Sequence, residues 1–194
     1  EVQVDLTVFN TPAGTNVTVN LGGVSVTFPT VTQRGQTNLT YITSPALCPT
    51  APPGFELVSA GQARACFTLD TTAVTAGAIR VSVDYSVAAV PVESDLRILH
   101  VLSDGSFDPY DPPGQIGSPD PPGNVTVSLD TANDRIVGEV LSFSPFILVQ
   151  PVDSQAPVIT APADIVRTAT AAGGEVVTFA VSATDDRDPS PALV

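Results

Sequence analysis

The sequence has no lysine, no methionine and no tryptophan, a single histidine and only two cysteines. Each scarcity excludes something. All seven basic residues are arginines, set against 20 acids for a net charge of −13. Such a surface repels phosphate backbones, so nucleic acid is excluded as a partner. No apolar run approaches the roughly 18 residues of a membrane span, so membrane insertion is not expected. With one histidine, His100, any metal or triad chemistry would have to pass through that residue or do without imidazole. No stretch carries a 3.6-residue apolar period, which argues against helices.

What is present is β-forming. Val, Ile, Leu, Phe and Thr dominate, and 19 prolines and 14 glycines punctuate them. Val2, Val4, Leu6 and Val8 alternate with Gln3, Asp5 and Thr7. Val17, Val19 and Leu21 alternate again before a Gly22-Gly23 hairpin signal, and Val24, Val26 and Phe28 return. Thr11–Gly14 and Arg34-Gly35 read as turns, and Ser44–Gly54, with four prolines, as a loop. Phe67 and Leu69 face away from Cys66. Ile79, Val81, Val83 and Tyr85 form the clearest apolar face, against Arg80, Ser82 and Asp84. The run Leu96–Leu102 is apolar on both sides except at Arg97 and His100, the pattern of a central, doubly covered strand. Strands are also expected at Val125–Leu129, Ile136–Leu141 and Phe146–Val149. Before them, 107–123 is so rich in proline that it reads as an exposed, extended loop. Short strands at this spacing argue for an all-β sandwich over residues 1–151, a linker at 152–157 and a further β module from 158 onward.

Two resemblances refine this. Ala156-Pro157-Val158-Ile159-Thr160-Ala161-Pro162-Ala163-Asp164-Ile165, a Gly173-Gly174 turn and Val176–Asp186 resemble the opening half of a hyalin repeat (HYR), an immunoglobulin-like module of extracellular proteins. The resemblance implies a partial second immunoglobulin-like module at 158–194. Val24–Phe28 with Val31–Thr37, Pro53–Leu57, Ile79–Tyr85, Asp95–His100 and Ser142–Phe146 are similar to a structural β module of secreted bacterial surface proteins. That family carries no activity over to this chain, and the insertion at 107–123 departs from its pattern. The Arg-only, Ala-rich composition is also of a bacterial kind. Together the resemblances imply an immunoglobulin-like β-sandwich that is secreted or displayed on the cell surface.

The candidate sites each have a plain structural alternative. Cys48 and Cys66 flank the Pro49–Gly54 loop; a disulfide there would contribute roughly 3 kcal/mol, and two buried free thiols are the alternative. A Ser-His-Asp arrangement would have to use His100, with Ser103 and Asp104 nearest in sequence, but no nucleophile elbow surrounds any serine. No enzymatic activity is expected. Asp185, Asp186 and Asp188 offer hard oxygen ligands for Ca²⁺ at a strand end, against an ordinary strand exit; Asp108, Asp111 and Asp120 on the Pro-rich loop are a weaker set. No other cofactor is implied. Asn16, Asn38 and Asn124 open Asn-X-Thr sequons for glycosylation. Phe107 and Tyr110 could anchor a subunit contact. Val177, Phe179 and Val181, on a strand expected at Val176–Thr184, would need a partner to cover them. Strand addition to a neighbouring subunit meets that need. The expected function is therefore a structural subunit or segment of an extracellular assembly, acting in spacing, adhesion or filament formation through self-association or contact with neighbouring domains. A glycan- or protein-binding adhesin module and an accessory domain of a larger secreted enzyme are the alternatives.

Overall fold

The structure, a computed structural model, describes residues 5–58, 65–86, 90, 92–117, 120–168, 172–174, 176–185, 187–188 and 191. The chain forms two compact units, Glu1–Val152 and Asp153–Val194.

Unit 1 is all-β: two antiparallel six-stranded sheets packed together. Its strands are β1 (Asp5–Thr11), β2 (Gly14–Asn20), β3 (Val24–Gln33), β4 (Gly35–Tyr41), β5 (Phe55–Leu57), β6 (Cys66–Thr71), β7 (Val74–Ala76), β8 (Ile79–Asp84), β9 (Arg97–His100), β10 (Thr126–Asp130), β11 (Arg135–Val140) and β12 (Pro145–Pro151). One sheet runs β1-β4-β6-β12-β5, with β9 also paired to β12; the second runs β10-β11-β8-β3-β2, with β7 on β3.

The first four strands show how local chemistry sets the sandwich. Gly22 and Gly23, at φ 71° and 85°, make the two-residue turn that joins β2 to β3, and the Leu21 N–H donates to Val24 O at 2.8 Å. Two segments expected to be simple turns are instead places where the chain changes sheets. β1 and β2 are consecutive yet lie in opposite sheets, as do β3 and β4. The long ribbon therefore folds over the core at 12–13 and at Arg34, the corner of a sandwich. Gly35 is required at that corner: a Cβ there would lie 2.2 Å from the Ala73 nitrogen.

The core lies between the sheets. Val24, Val26, Phe28, Val81, Val83, Leu39, Phe67, Ile98, Ile136, Phe146 and Leu148 are all buried in it. Each such side chain contributes about 1.5–3 kcal/mol of hydrophobic stabilisation. The alternation read over β2, β3 and β8 holds, with Val81 and Val83 in the core and Arg80 exposed. The side chains of residues 1–8 lie outside the described set, so the expected face of Val2–Val8 is not placed. A second, smaller apolar cluster, holding Cys66, Leu99, Val101, Ile147 and Val149, covers the outer face of β6, β9 and β12. Ile42, Ala51 and Phe107 pack over it from loops, and Phe55 from β5.

The Leu96–Leu102 segment is covered on both faces, as its pattern implies, but it is not central. β9 pairs only β12. Its other edge is occupied by the Pro-rich insertion and by residues 123–126 that lead into β10. Ile98 N–H donates to Thr126 Oγ1 and Val125 N–H donates to Ile98 O. His100 N–H donates to Gly123 O at 2.9 Å, and Asp108 N–H donates to His100 O at 3.0 Å. An edge strand with unpaired N–H and C=O groups invites association; here the chain's own insertion closes it. The expected bare, extended loop is thus a packed one, with Pro112 and Pro121 buried.

Unit 2 contains a two-stranded sheet of β13 (Val158–Thr160) and β14 (Ser182–Thr184). The strand expected at Val176–Thr184 is realised only over its last three residues. Residues 176–181 have no ladder partner among the described residues, and a strand exists only where its backbone is paired.

Candidate functional site

Three segments that are distant in sequence meet at His100: β9, the insertion through Asp108, and the bend between β11 and β12 through Ser144. His100 is 0% exposed. Its Nδ1 lies 2.6 Å from Asp108 Oδ2, and its Nε2 lies 2.6 Å from Ser144 Oγ. A carboxylate can only accept, so Nδ1 carries the proton, and in the neutral ring Nε2 accepts from the Ser144 hydroxyl. The ring stacks on Phe146, with centroids 4.7 Å apart; Phe146 stacks in turn on Phe67. Burial lowers the His100 pKa from its ordinary value, and the Asp108 hydrogen bond and charge partly oppose that shift. Asp108 is fixed from its other oxygen too, since the Tyr110 N–H donates to Oδ1 at 2.9 Å.

The connectivity is that of a Ser-His-Asp relay, but with partners other than the nearest ones in sequence. Ser103 and Asp104 are exposed; Asp104 accepts the N–H and hydroxyl of Ser106 in a local turn. Ser144 became findable only through β9–β12 pairing, which sets Phe146 opposite His100 and so brings Ser144 alongside. An acyl-transfer site also needs backbone donors for the oxyanion beside the nucleophile. Ser144 is followed by Pro145, which has no N–H, and the imidazole is sealed from solvent. The arrangement fits a structural knot: a buried imidazole with both nitrogens satisfied ties the insertion to two strands.

Beside the knot the insertion lines an open cleft of about 470 Å³, bordered by Phe107, Asp108, Tyr110, Asp111, Asp120 and Asn124 among others. Its polar groups are largely committed. The Tyr110 hydroxyl donates to Glu139 Oε1 at 3.2 Å, and burial followed by the Glu139 charge raises its pKa. Asn124 Nδ2 donates to Ile116 O and to Asp120 Oδ1. Gly123, at φ 74°, has no room for a Cβ, which would fall 2.8 Å from Phe107 and 2.9 Å from His100 O. Arg97 is buried and its Nη1 donates to Ser94 O and Leu96 O, both at 2.8 Å.

Cys48 and Cys66 are unbridged thiols; Cys66 belongs to the outer apolar cluster and Cys48 packs against that cluster. Phe107 packs into that same cluster, and the Tyr110 hydroxyl is bonded to Glu139. Asp185 accepts the N–H groups of Arg187 and Asp188 at 2.8 Å each, which holds its carboxyl below the usual range. Asp186 lies outside the described residues. Among the described residues no three His, Cys, Asp or Glu side chains converge on a metal position. Asn16 is exposed at φ 52°, Asn38 is half-buried, and Asn124 is 2% exposed with its amide engaged. Val176, Val177, Phe179 and Val181 are exposed.

No family model matches the chain, and neither a curated protein nor a solved structure is found to be similar to it.

Proposed function

We propose that the chain is a non-enzymatic structural part of a secreted or cell-surface assembly. In this reading unit 1 is an immunoglobulin-like sandwich that serves as a rigid spacer. Unit 2 is an HYR-like module that takes up a strand from a neighbouring subunit. The observation that carries it is the run Val176–Val181: Val176 is 89% exposed, Phe179 67%, and the only ladder described beside it spans three residues. Main-chain pairing with an incoming strand would satisfy these backbone groups and cover the apolar face. Head-to-tail contacts of that kind do not close, so they build filaments. The closed edge of β9 agrees with this division of labour, since that edge of unit 1 is covered by its own chain. The resemblance to HYR modules also favours it, as does Pro145 beside Ser144, which offers no N–H to an oxyanion. Negative-stain electron microscopy of residues 1–194 beside residues 1–152 tests it: filaments or oligomers only with unit 2 are expected. A monodisperse monomer of 1–194 with an ordered unit 2 would overturn it.

The cleft supports a second reading, a binding module that takes a small ligand or a partner's side chain between Tyr110 and the carboxylates of Asp111 and Asp120. It predicts a monomer that binds a glycan or protein, with binding lost in Tyr110→Ala.

A further inference from the structure

We infer that Cys48 and Cys66 form a reversible disulfide that staples the Pro-rich loop over the outer face of the β6-β12-β9 sheet. The placement comes from the chain path. Ile42 N–H donates to Cys66 O at 2.9 Å, which sets the start of the loop beside β6. The loop then makes a 3₁₀ turn at Pro45–Leu47 and returns Cys48 over Cys66. Cys48 packs against the cluster that holds Cys66, and its Sγ lies 3.8 Å from the carbonyl oxygen of Ile42, the residue whose N–H is bonded to Cys66 O. Cys66 is buried at 1% exposure, whereas Cys48 is half-buried.

That asymmetry orders the chemistry. A disulfide oxidant RSSR meets Cys48 first. The Cys48 thiolate attacks one sulfur, forms Cys48–S–S–R and releases RS⁻. The Cys66 thiolate then attacks Cys48 Sγ and releases the second RS⁻. Two protons leave the cysteines and two electrons reduce RSSR to two RSH. Burial raises both thiols, and most strongly Cys66, so closure is slow at neutral pH and quickens as pH rises. What the bridge holds is specific. The loop carries Ala51, and leads β5 with Phe55 and Leu57, onto Leu99, Val101, Ile147 and Val149. Between Ser44 and Gly54 it has four prolines and little ladder of its own. Without the staple, opening of this loop bares the back of β9 and β12.

The test uses purified full chain exposed to oxidised glutathione, then alkylated in denaturant and digested with trypsin without reductant. Cleavage after Arg34, Arg64 and Arg80 separates the two cysteines into peptides 35–64 and 65–80. The expected result is one linked pair, an intact mass lower by two hydrogens, and a Tm about 5–10 °C above the reduced chain. Cys48→Ser should fold, resist linkage and lose the redox dependence of Tm. Two alkylated cysteines, a product stalled as a glutathione adduct on Cys48, or a linked protein with unchanged Tm would each overturn the proposal.

Discussion

His100 satisfies both ring nitrogens inside the protein and meets no solvent. Its folded pKa is lower than its unfolded value, so the unfolded chain binds the proton more readily. Stability from this group is full above the ordinary histidine pKa near ~6.5 and is lost as pH falls from there through the lower folded value. Urea midpoints measured from pH 7.5 down to about 5 should therefore decline in the wild type. His100→Phe should lose that component of the pH slope. It should also cost about 1–3 kcal/mol, because it strands Asp108 and Ser144. Ser144→Ala removes one hydrogen bond and should cost about 1 kcal/mol. Gly35→Ala drives a Cβ into the backbone of Ala73 and should cost about 3 kcal/mol or more, read from the same denaturation curves. Little of this was legible in the sequence. A lone histidine in an apolar strand announces burial, but its partners lie 8 and 44 residues away, and only strand pairing delivers the second.

At the level of elements, alternation was a good guide wherever one face of a strand meets the core. β2, β3 and β8 show it, with Phe67 and Leu69 inward and Cys66 outward on β6. It was silent on which strands neighbour each other. Leu96–Leu102 reads as central because both its faces are covered, yet the outer covering comes from loops and β9 has only one strand neighbour. Turn signals at Thr11–Gly14 and Arg34-Gly35 marked real breaks but could not say that the chain changes sheets there. The insertion's prolines suggested exposure, since proline cannot donate. They pack instead, because Gly123, Val125 and Asp108 supply the donors and acceptors that β9 requires. Gly123→Ala should therefore loosen the edge. Amide exchange at His100 is expected to speed up by at least about tenfold, a loss of roughly 1.4 kcal/mol in local opening free energy.

Across the whole molecule, the two units differ in how much apolar surface they bury. Unit 1 has two clusters of buried side chains and a closed edge, so residues 1–152 should unfold cooperatively alone. Unit 2 leaves Val158, Ile159, Val166, Val176 and Phe179 exposed around a three-residue ladder. Exposed apolar residues grouped along one segment mark an interaction surface. With a net charge of −13, repulsion between copies opposes association, so raised salt should strengthen it. The central claim is that Val177, Phe179 and Val181 are covered by a neighbouring subunit. Light scattering across a concentration series, on residues 1–194 and on the Phe179→Asp variant, tests this most directly. A mass that grows with concentration is expected in the wild type, and a monomer at every concentration in the variant. A wild type that remains monomeric at every concentration and salt would contradict that claim.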